Sequence, residues 1–217
     1  MRKWGIAISV FYALILLGFI APAAILLTGL EFANWAEFFG AVRETYQDWL
    51  FWVPAVAILL SQALLLFLPV DTSQKRLKPR THLLVSVTVA ALLTGLLSSA
   101  IIWSLGFAVR GPSFWDKFFD KQMNLVLFWA ALWVLWAIFF YLYFRNSSAV
   151  VTRLISWLLR GSVLELLIVV PCHIIVRRRH ECSAPMATSF GIATGIAIML
   201  LSFGPSVLFL YKKRLDS

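Results

Sequence analysis

Residues 160–185 read RGSVLELLIVVPCHIIVRRRHECSAP and combine an apolar segment of helical length with most of the chain's unusual polar residues. The run contains both cysteines, two of the three histidines and three consecutive arginines. It also contains Glu165, the only acidic residue inside any long apolar segment of the sequence. The placement of this run therefore determines the topology of the chain and the position of its most distinctive side chains.

The composition of the chain excludes an ordinary water-soluble domain. Of 217 residues, 61% are hydrophobic and 13% are charged, whereas soluble domains have roughly 45–50% apolar and about 25% charged residues. The net charge of +9 comes from lysines and arginines near the ends of apolar segments, where they set orientation and meet lipid headgroups. The expected partner is the lipid bilayer, and nucleic-acid binding is not expected because no long basic face is present.

Six apolar runs are long enough to cross a hydrocarbon core of about 30 Å, which requires about 20 helical residues. No run shows the alternating pattern of a strand, so helices must satisfy the buried backbone groups. We therefore predict an all-α fold, a polytopic transmembrane helical bundle that forms a single integral membrane domain over residues 1–217. The predicted spans are 5–30, 50–70, 82–109, 123–144, 154–176 and 187–211.

Two connections between these runs carry aromatic residues at helical spacing. In residues 34–49 the aromatic residues and Val42 recur at helical spacing, and Asn34 with Glu37 forms a capping box typical of a helix start. A shorter example occupies residues 113–121. We predict that both are amphipathic helices lying in the membrane interface. The alternative is that each extends a neighbouring span.

The distribution of basic residues predicts the orientation of the chain. Residues 71–80 contain four basic residues, so this connection and the N-terminus are placed on the cytoplasmic side of a cytoplasmic (inner) membrane. The same rule does not decide whether residues 154–176 cross, because twelve basic residues lie inside and seven outside in either case. We predict six crossings, with a re-entrant or tilted, protein-covered segment as the alternative. Whether residues 154–176 cross the membrane determines on which side of it a basic loop formed by Arg177, Arg178 and Arg179 lies.

Three polar residues in or near the fifth run are candidates for function: Arg160, Glu165 and His173. An ionised carboxylate in lipid is costly, so Glu165 must face a cavity, pair with another group or carry a proton. Arg160 lies about 140° around the helix from Glu165, which disfavours an ion pair within the helix. Glu165 is thus either a carboxyl for proton coupling or substrate contact, or a structural partner between helices.

Four potential metal ligands, Cys172, His173, His180 and Cys182, lie within eleven residues. Their order matches no standard zinc spacing, and the three intervening arginines repel a divalent cation, so no metal site is predicted. A Cys172–Cys182 disulfide is a candidate if the loop lies outside the cytoplasm, and unpaired cysteines are the alternative.

The fourth run carries aromatic residues at alternating steps of four and three, which we call the aromatic seam: Trp129, Trp133, Trp136, Phe140 and Tyr143. Such a seam is typical of a packing face or a lipid-facing belt, and it is also suited to contact with a quinone, a pigment or a lipid tail. We predict bound lipid and no other cofactor.

No catalytic motif of the GxSxG, HExxH or P-loop type is present, so an enzyme is not the favoured class. We predict a non-catalytic subunit or assembly partner of a larger membrane complex, with other membrane subunits or further copies of the chain as partners. The first alternative is a small transporter or channel that uses Glu165 in an intramembrane cavity. The second is a membrane-embedded enzyme acting on a lipid or quinone.

Overall fold

A computed structural model describes residues 2–28, 32–67, 80–111, 122–145, 150–179 and 184–215. These residues are almost entirely helical, and no strand occurs among them. The predicted all-α fold is therefore confirmed. The elements are α1 (Arg2–Ile15), a π-helical segment (Leu16–Ile20), α2 (Ala21–Leu27), α3 (Trp35–Gln47), α4 (Trp49–Phe67), α5 (Arg80–Arg110), α6 (Gln122–Phe144), α7 (Val150–Arg178) and α8 (Ala184–Leu215).

Four helical stretches in the described part of the chain are long and apolar enough to cross a membrane: Val10–Leu27, Leu83–Arg110, Asn124–Phe144 and Arg153–Arg178. Two shorter apolar stretches, Phe51–Ser61 and Ala187–Ser202, lie within α4 and α8. The chain is thus of the helical membrane type. The predicted count of six spans is not confirmed, because four stretches meet the length and hydropathy of a span.

Helix α5 lies at the centre of the bundle and packs on α4, α6, α7 and α8. Many of its buried side chains are small, including Ala90, Ala91 and Ala100, which lets neighbouring backbones approach closely. A Cβ added to Gly95 would lie only 3.5 Å from the backbone nitrogen of Trp133 in α6. Helices α5 and α6 therefore meet backbone to backbone at this glycine.

Residues 154–176, whose crossing the sequence leaves open, belong to the continuous 29-residue helix α7. The helix runs through Pro171 without a break, so its backbone is not that of a re-entrant loop. Its face toward α5 and α8 is marked by buried side chains every three or four residues: Leu154, Leu158, Ser162, Glu165, Val169, Cys172 and Val176. Arg153 and Arg160 lie on the exposed side.

The helix predicted at 34–49 is present as α3, which ends one residue before Asp48. The Asn34 side chain accepts a hydrogen bond from the Glu37 N–H at 2.9 Å, and the Glu37 carboxylate accepts one from the Ala33 N–H at 2.8 Å. Phe38 and Val42 are buried against Ile25 of α2. The second predicted interfacial helix, 113–121, lies outside the described residues.

The proline that follows the π-helical segment of the first span leaves one backbone carbonyl without a helical donor. In a π-helix the carbonyl of residue i bonds to the N–H of residue i+5, and position 22 is a proline without an N–H. The carbonyl of Leu17 therefore lacks a helical donor. The hydroxyl of Tyr46 in α3 donates to this carbonyl, which ties α3 to the first span.

Candidate functional site

Glu165 lies on the buried face of α7, where its side chain is 0% exposed. The carboxyl group lies against Gly195 of α8. A Cβ added to Gly195 would overlap Oε2 of Glu165, and it would lie 2.8 Å from Cδ of the same residue and 3.1 Å from Cδ2 of Leu166. Glycine at position 195 therefore makes the space that the carboxyl occupies.

Neither carboxyl oxygen of Glu165 has a hydrogen-bond partner among the described residues. Arg153 and Arg160, which lie in the same helix, are exposed on another face, as the predicted angle of about 140° between Arg160 and Glu165 requires. An isolated ionised carboxylate in an apolar medium costs on the order of tens of kcal/mol, so such a group binds a counter-charge or a proton. The arrangement suits reversible binding of a proton.

The polar residue nearest to Glu165 on the same face of α7 is Ser162, one turn earlier. Its side chain is fully buried, and its hydroxyl donates to the carbonyl of Leu158 at 2.8 Å. Because a serine hydroxyl has a single proton to donate, Ser162 does not stabilise a charge on the carboxylate. The Glu165 carboxyl thus lies against the backbone of Gly195 and receives no hydrogen bond from Ser162.

His173 does not share a site with Glu165. The two residues are eight positions apart on one continuous helix, which places their Cα atoms about 12 Å apart along its axis. His173 is 6% exposed, and its nitrogens lie 2.7 Å from Oγ1 of Thr188 and 2.9 Å from the carbonyl oxygen of Leu27. The structure separates these two predicted candidates.

The hydrogen bonds of His173 connect three helices. A carbonyl oxygen can only accept, so Nε2 of His173 carries a proton and donates to Leu27, the last residue of α2. Carbonyls at a helix C-terminus have no partner within the helix, so His173 completes the end of α2. Nδ1 of a neutral imidazole protonated at Nε2 is an acceptor, so the hydroxyl of Thr188 in α8 donates to it at 2.7 Å, and the hydroxyl oxygen also lies 3.1 Å from the carbonyl oxygen of Pro185.

The structure describes one of the two cysteines and all three arginines of the predicted basic loop. The Cys172 side chain is buried with Phe107 and Val176 in a small apolar cluster. Cys182 and His180 lie outside the described residues, so the disulfide stays a prediction. Within the described ranges no group of three or more His, Cys, Asp or Glu side chains could hold a metal ion. The exposed arginines Arg177, Arg178 and Arg179 lie at the C-terminal end of α7, where the helix dipole favours cations.

The aromatic seam of α6 faces α5 along part of its length. Three indole N–H groups donate to α5: Trp129 to Oγ of Ser99 at 2.8 Å, Trp136 to Oγ of Ser98 at 2.9 Å, and Trp133 to the carbonyl of Thr88 at 3.1 Å. Phe140 is fully buried, whereas Tyr143 is 59% exposed. These contacts give the seam a structural function, because indole N–H groups in an apolar environment require acceptors.

Sequence reasoning did not identify Gly195 as the neighbour of Glu165. The available signal was the Gly191–Gly195 pair in the sixth run, since glycines four residues apart permit close approach of another helix. Gly191 also packs closely, because an added Cβ would lie 3.2 Å from Cγ1 of Val169 and 3.4 Å from Cβ of Ala100. The pair is therefore the contact face of α8 toward α7 and α5.

No known protein-family model matches the chain, and no match is found among curated proteins or solved structures. The apolar helices have the length and composition of membrane spans, as in a membrane protein.

Proposed function

We propose that the protein is a small transporter or channel that moves protons across a membrane, with the carboxyl of Glu165 as the group that binds and releases them. The observation that carries this proposal is a fully buried carboxyl with no partner for either oxygen within the described ranges. Ionisable residues inside membrane spans are rare, and they commonly mark proton or ion pathways. A structural carboxyl would be expected to hold hydrogen bonds to a second helix, and this one holds none among the described residues.

The contact between α7 and α8 supports the same function. On α8 Gly191 and Gly195 form part of this contact, and Gly195 lies directly against the carboxyl of Glu165. A displacement of α8 along α7 that breaks the hydrogen bond between Thr188 and His173 would move Gly195 away from this carboxyl and change the access of water to Glu165. Such a displacement is the kind of helix shift by which packed bundles alternate between two arrangements.

Two further predictions follow from the sequence. We place the protein in a cytoplasmic membrane with its N-terminus on the cytoplasmic side, supported by the lysines and arginines of residues 71–80.

The predicted assembly-partner function would use the outward face of α6, which exposes Leu135 and Leu142. A bilayer covers that face equally well, so this function stays a prediction. The separation of about 12 Å between Glu165 and His173 weighs against an enzyme that uses both.

The test is proton entry into liposomes that contain the purified protein. The vesicles enclose a pH-sensitive dye, and a potassium gradient with valinomycin supplies a membrane potential. We expect the wild type to acidify the lumen faster than empty vesicles, and Glu165→Gln to reduce the protein-dependent rate at least tenfold. The amide keeps the shape of the side chain but cannot carry the proton as a carboxyl does.

Glu44→Gln is the matched control, because Glu44 is exposed on α3 outside the spans. It should conduct at the wild-type rate. Equal rates for Glu165→Gln and the wild type, or a wild-type rate no greater than that of empty vesicles, would contradict the proposal.

A further inference from the structure

An open groove of about 570 Å³ lies between the first helical run and α3. Its volume falls within the roughly 300–1,000 Å³ of typical small-molecule sites. Four lining residues come from the first run and four from α3 and α4: Leu14, Leu17, Gly18, Pro22, Phe39, Val42, Tyr46 and Trp52. The groove is separate from the Glu165 site in its lining residues and is independent of the proposed proton transport.

The polar atoms of the lining side chains are already bonded within the protein. The hydroxyl of Tyr46 donates to the carbonyl of Leu17, and Nε1 of Trp52 donates to the carbonyl of Tyr46 at 2.8 Å. The remaining lining side chains are hydrocarbon. A polar ligand would lose its hydration without gaining hydrogen bonds from these side chains, whereas a hydrocarbon chain loses nothing by entering.

The π-helical segment contributes Gly18 to the lining of the groove. Gly18 lies within this segment, and no atom lies within 4 Å of an ideal Cβ at that position. Helices with single π-helical turns often carry functional sites there. A glycine in a lining position lets a ligand approach the backbone directly, and the space beside Gly18 is open to one.

A cation lies beside the groove on α3. Arg43 is exposed and lies about 40° around the helix from Phe39 and about 60° from Tyr46. Both neighbours line the groove, so the guanidinium can reach its rim. Guanidinium groups bind phosphate through paired hydrogen bonds. The site therefore offers an apolar channel next to a phosphate-binding cation.

We propose that this groove binds one phospholipid, with an acyl chain along Gly18 and the phosphate against Arg43. This lipid is held longer than the lipid that covers the other apolar faces of the protein. An exposed helix face such as that of α6 contacts lipid along one helix, whereas the groove contacts a chain with residues from the first helical run, α3 and α4.

The first test is native mass spectrometry of the protein extracted in a mild detergent. We expect the wild type to retain one phospholipid per chain and Gly18→Leu to retain at least tenfold less, because the leucine side chain fills the groove. The substitution should not disturb folding, since open space surrounds position 18.

Gly40→Leu is the matched control. Gly40 is also a helical glycine with no atom within 4 Å of an added Cβ, and it does not line the groove. It should retain lipid at the wild-type level. Equal retention by Gly18→Leu and the wild type, a wild type that carries no phospholipid, or a second protein chain in place of the lipid would overturn the proposal.

A second test separates the groove from general lipid contact. The protein is reconstituted with a phospholipid that carries a photoreactive diazirine in its acyl chain, then chased with excess unlabelled lipid before illumination. We expect crosslinks at Leu14 and Phe39 to persist through the chase and those at Leu135 of α6 to disappear, although all three are more than 60% exposed. Equal loss at all three positions would overturn the proposal.

Discussion

Gly195→Ala should destabilise the protein, although alanine ordinarily stabilises a helix relative to glycine by about 0.5–1 kcal/mol. The new methyl group would overlap a carboxyl oxygen of Glu165 and would also press on Leu166. Overpacking of this kind costs typically about 1–3 kcal/mol. The cost exceeds the helix-propensity gain, so we expect a net loss on the order of 1 kcal/mol.

The decisive comparison repeats the substitution in a chain that lacks the carboxyl. In the Glu165→Ala background the obstructing group is gone, so Gly195→Ala should recover its propensity gain and stabilise by about 0.5–1 kcal/mol. The sign of the effect should therefore reverse between the two backgrounds. Such a reversal reports direct contact, because distant substitutions add within about 0.3–0.5 kcal/mol.

The assay is reversible unfolding in mixed micelles followed by tryptophan fluorescence. Gly191→Ala serves as a comparison, because its new methyl would meet side-chain atoms of Val169, Ala100 and Ser104 at 3.2, 3.4 and 3.6 Å, so a shift of a few tenths of an ångström would accommodate it. We expect a smaller effect at that position, with little dependence on Glu165. Additive effects of Gly195→Ala and Glu165→Ala would refute the placement of the carboxyl against α8.

Two further predictions concern the bonds that hold the first helical run. His173→Ala should lower the free energy of unfolding by about 1–3 kcal/mol in the same assay, because it leaves the terminal carbonyl of Leu27 without a donor. An effect below about 0.5 kcal/mol would contradict the inference that His173 stabilises the end of α2. Tyr46→Phe should cost about 1 kcal/mol near neutral pH. Burial raises the pKa of Tyr46 in the folded protein, so its contribution is complete below the unfolded pKa of about 10 and is lost as the pH rises through the folded pKa. The stability difference between the wild type and Tyr46→Phe should shrink in that range and stay constant below it.

Helix α3 could be predicted from sequence because its signals are local. The Asn34 and Glu37 side chains lie within one turn of each other, and the buried positions repeat every three or four residues. The membrane class was predictable for the same reason, since apolar length is a property of each segment alone. The number of spans is not established in the same way, because among the described residues four stretches reach the length of a span and the apolar stretches of α4 and α8 do not.

The buried position of Glu165 also follows from helical periodicity, which separates it from Arg160 on the same helix. Its contact with Gly195 could not be derived in this way, because the register of α8 against α7 depends on packing along both helices. The same limit applies to His173, whose acceptor Leu27 lies 146 positions away in sequence. Tertiary partners at such distances leave no periodic signal in one sequence.

The first helical run gives an intermediate case. Pro22 predicts an unpaired carbonyl about one turn earlier, and Tyr46 is predicted to lie on the apolar face of an adjacent helix. Only the packed structure brings the hydroxyl of Tyr46 to the carbonyl of Leu17. It also places Gly18 in the lining of a groove, with open space beside it.

The most direct test of the central claim compares two conservative substitutions of Glu165 in the proton-entry assay. Glu165→Asp keeps an ionisable carboxyl but shortens the side chain, whereas Glu165→Gln keeps the length and removes the acid. If the carboxyl carries the proton, Glu165→Asp should retain a measurable part of the wild-type rate and Glu165→Gln should fall to the rate of empty vesicles. Equal rates for the two variants would show that the shape of the side chain, and not its acidity, is what the site requires.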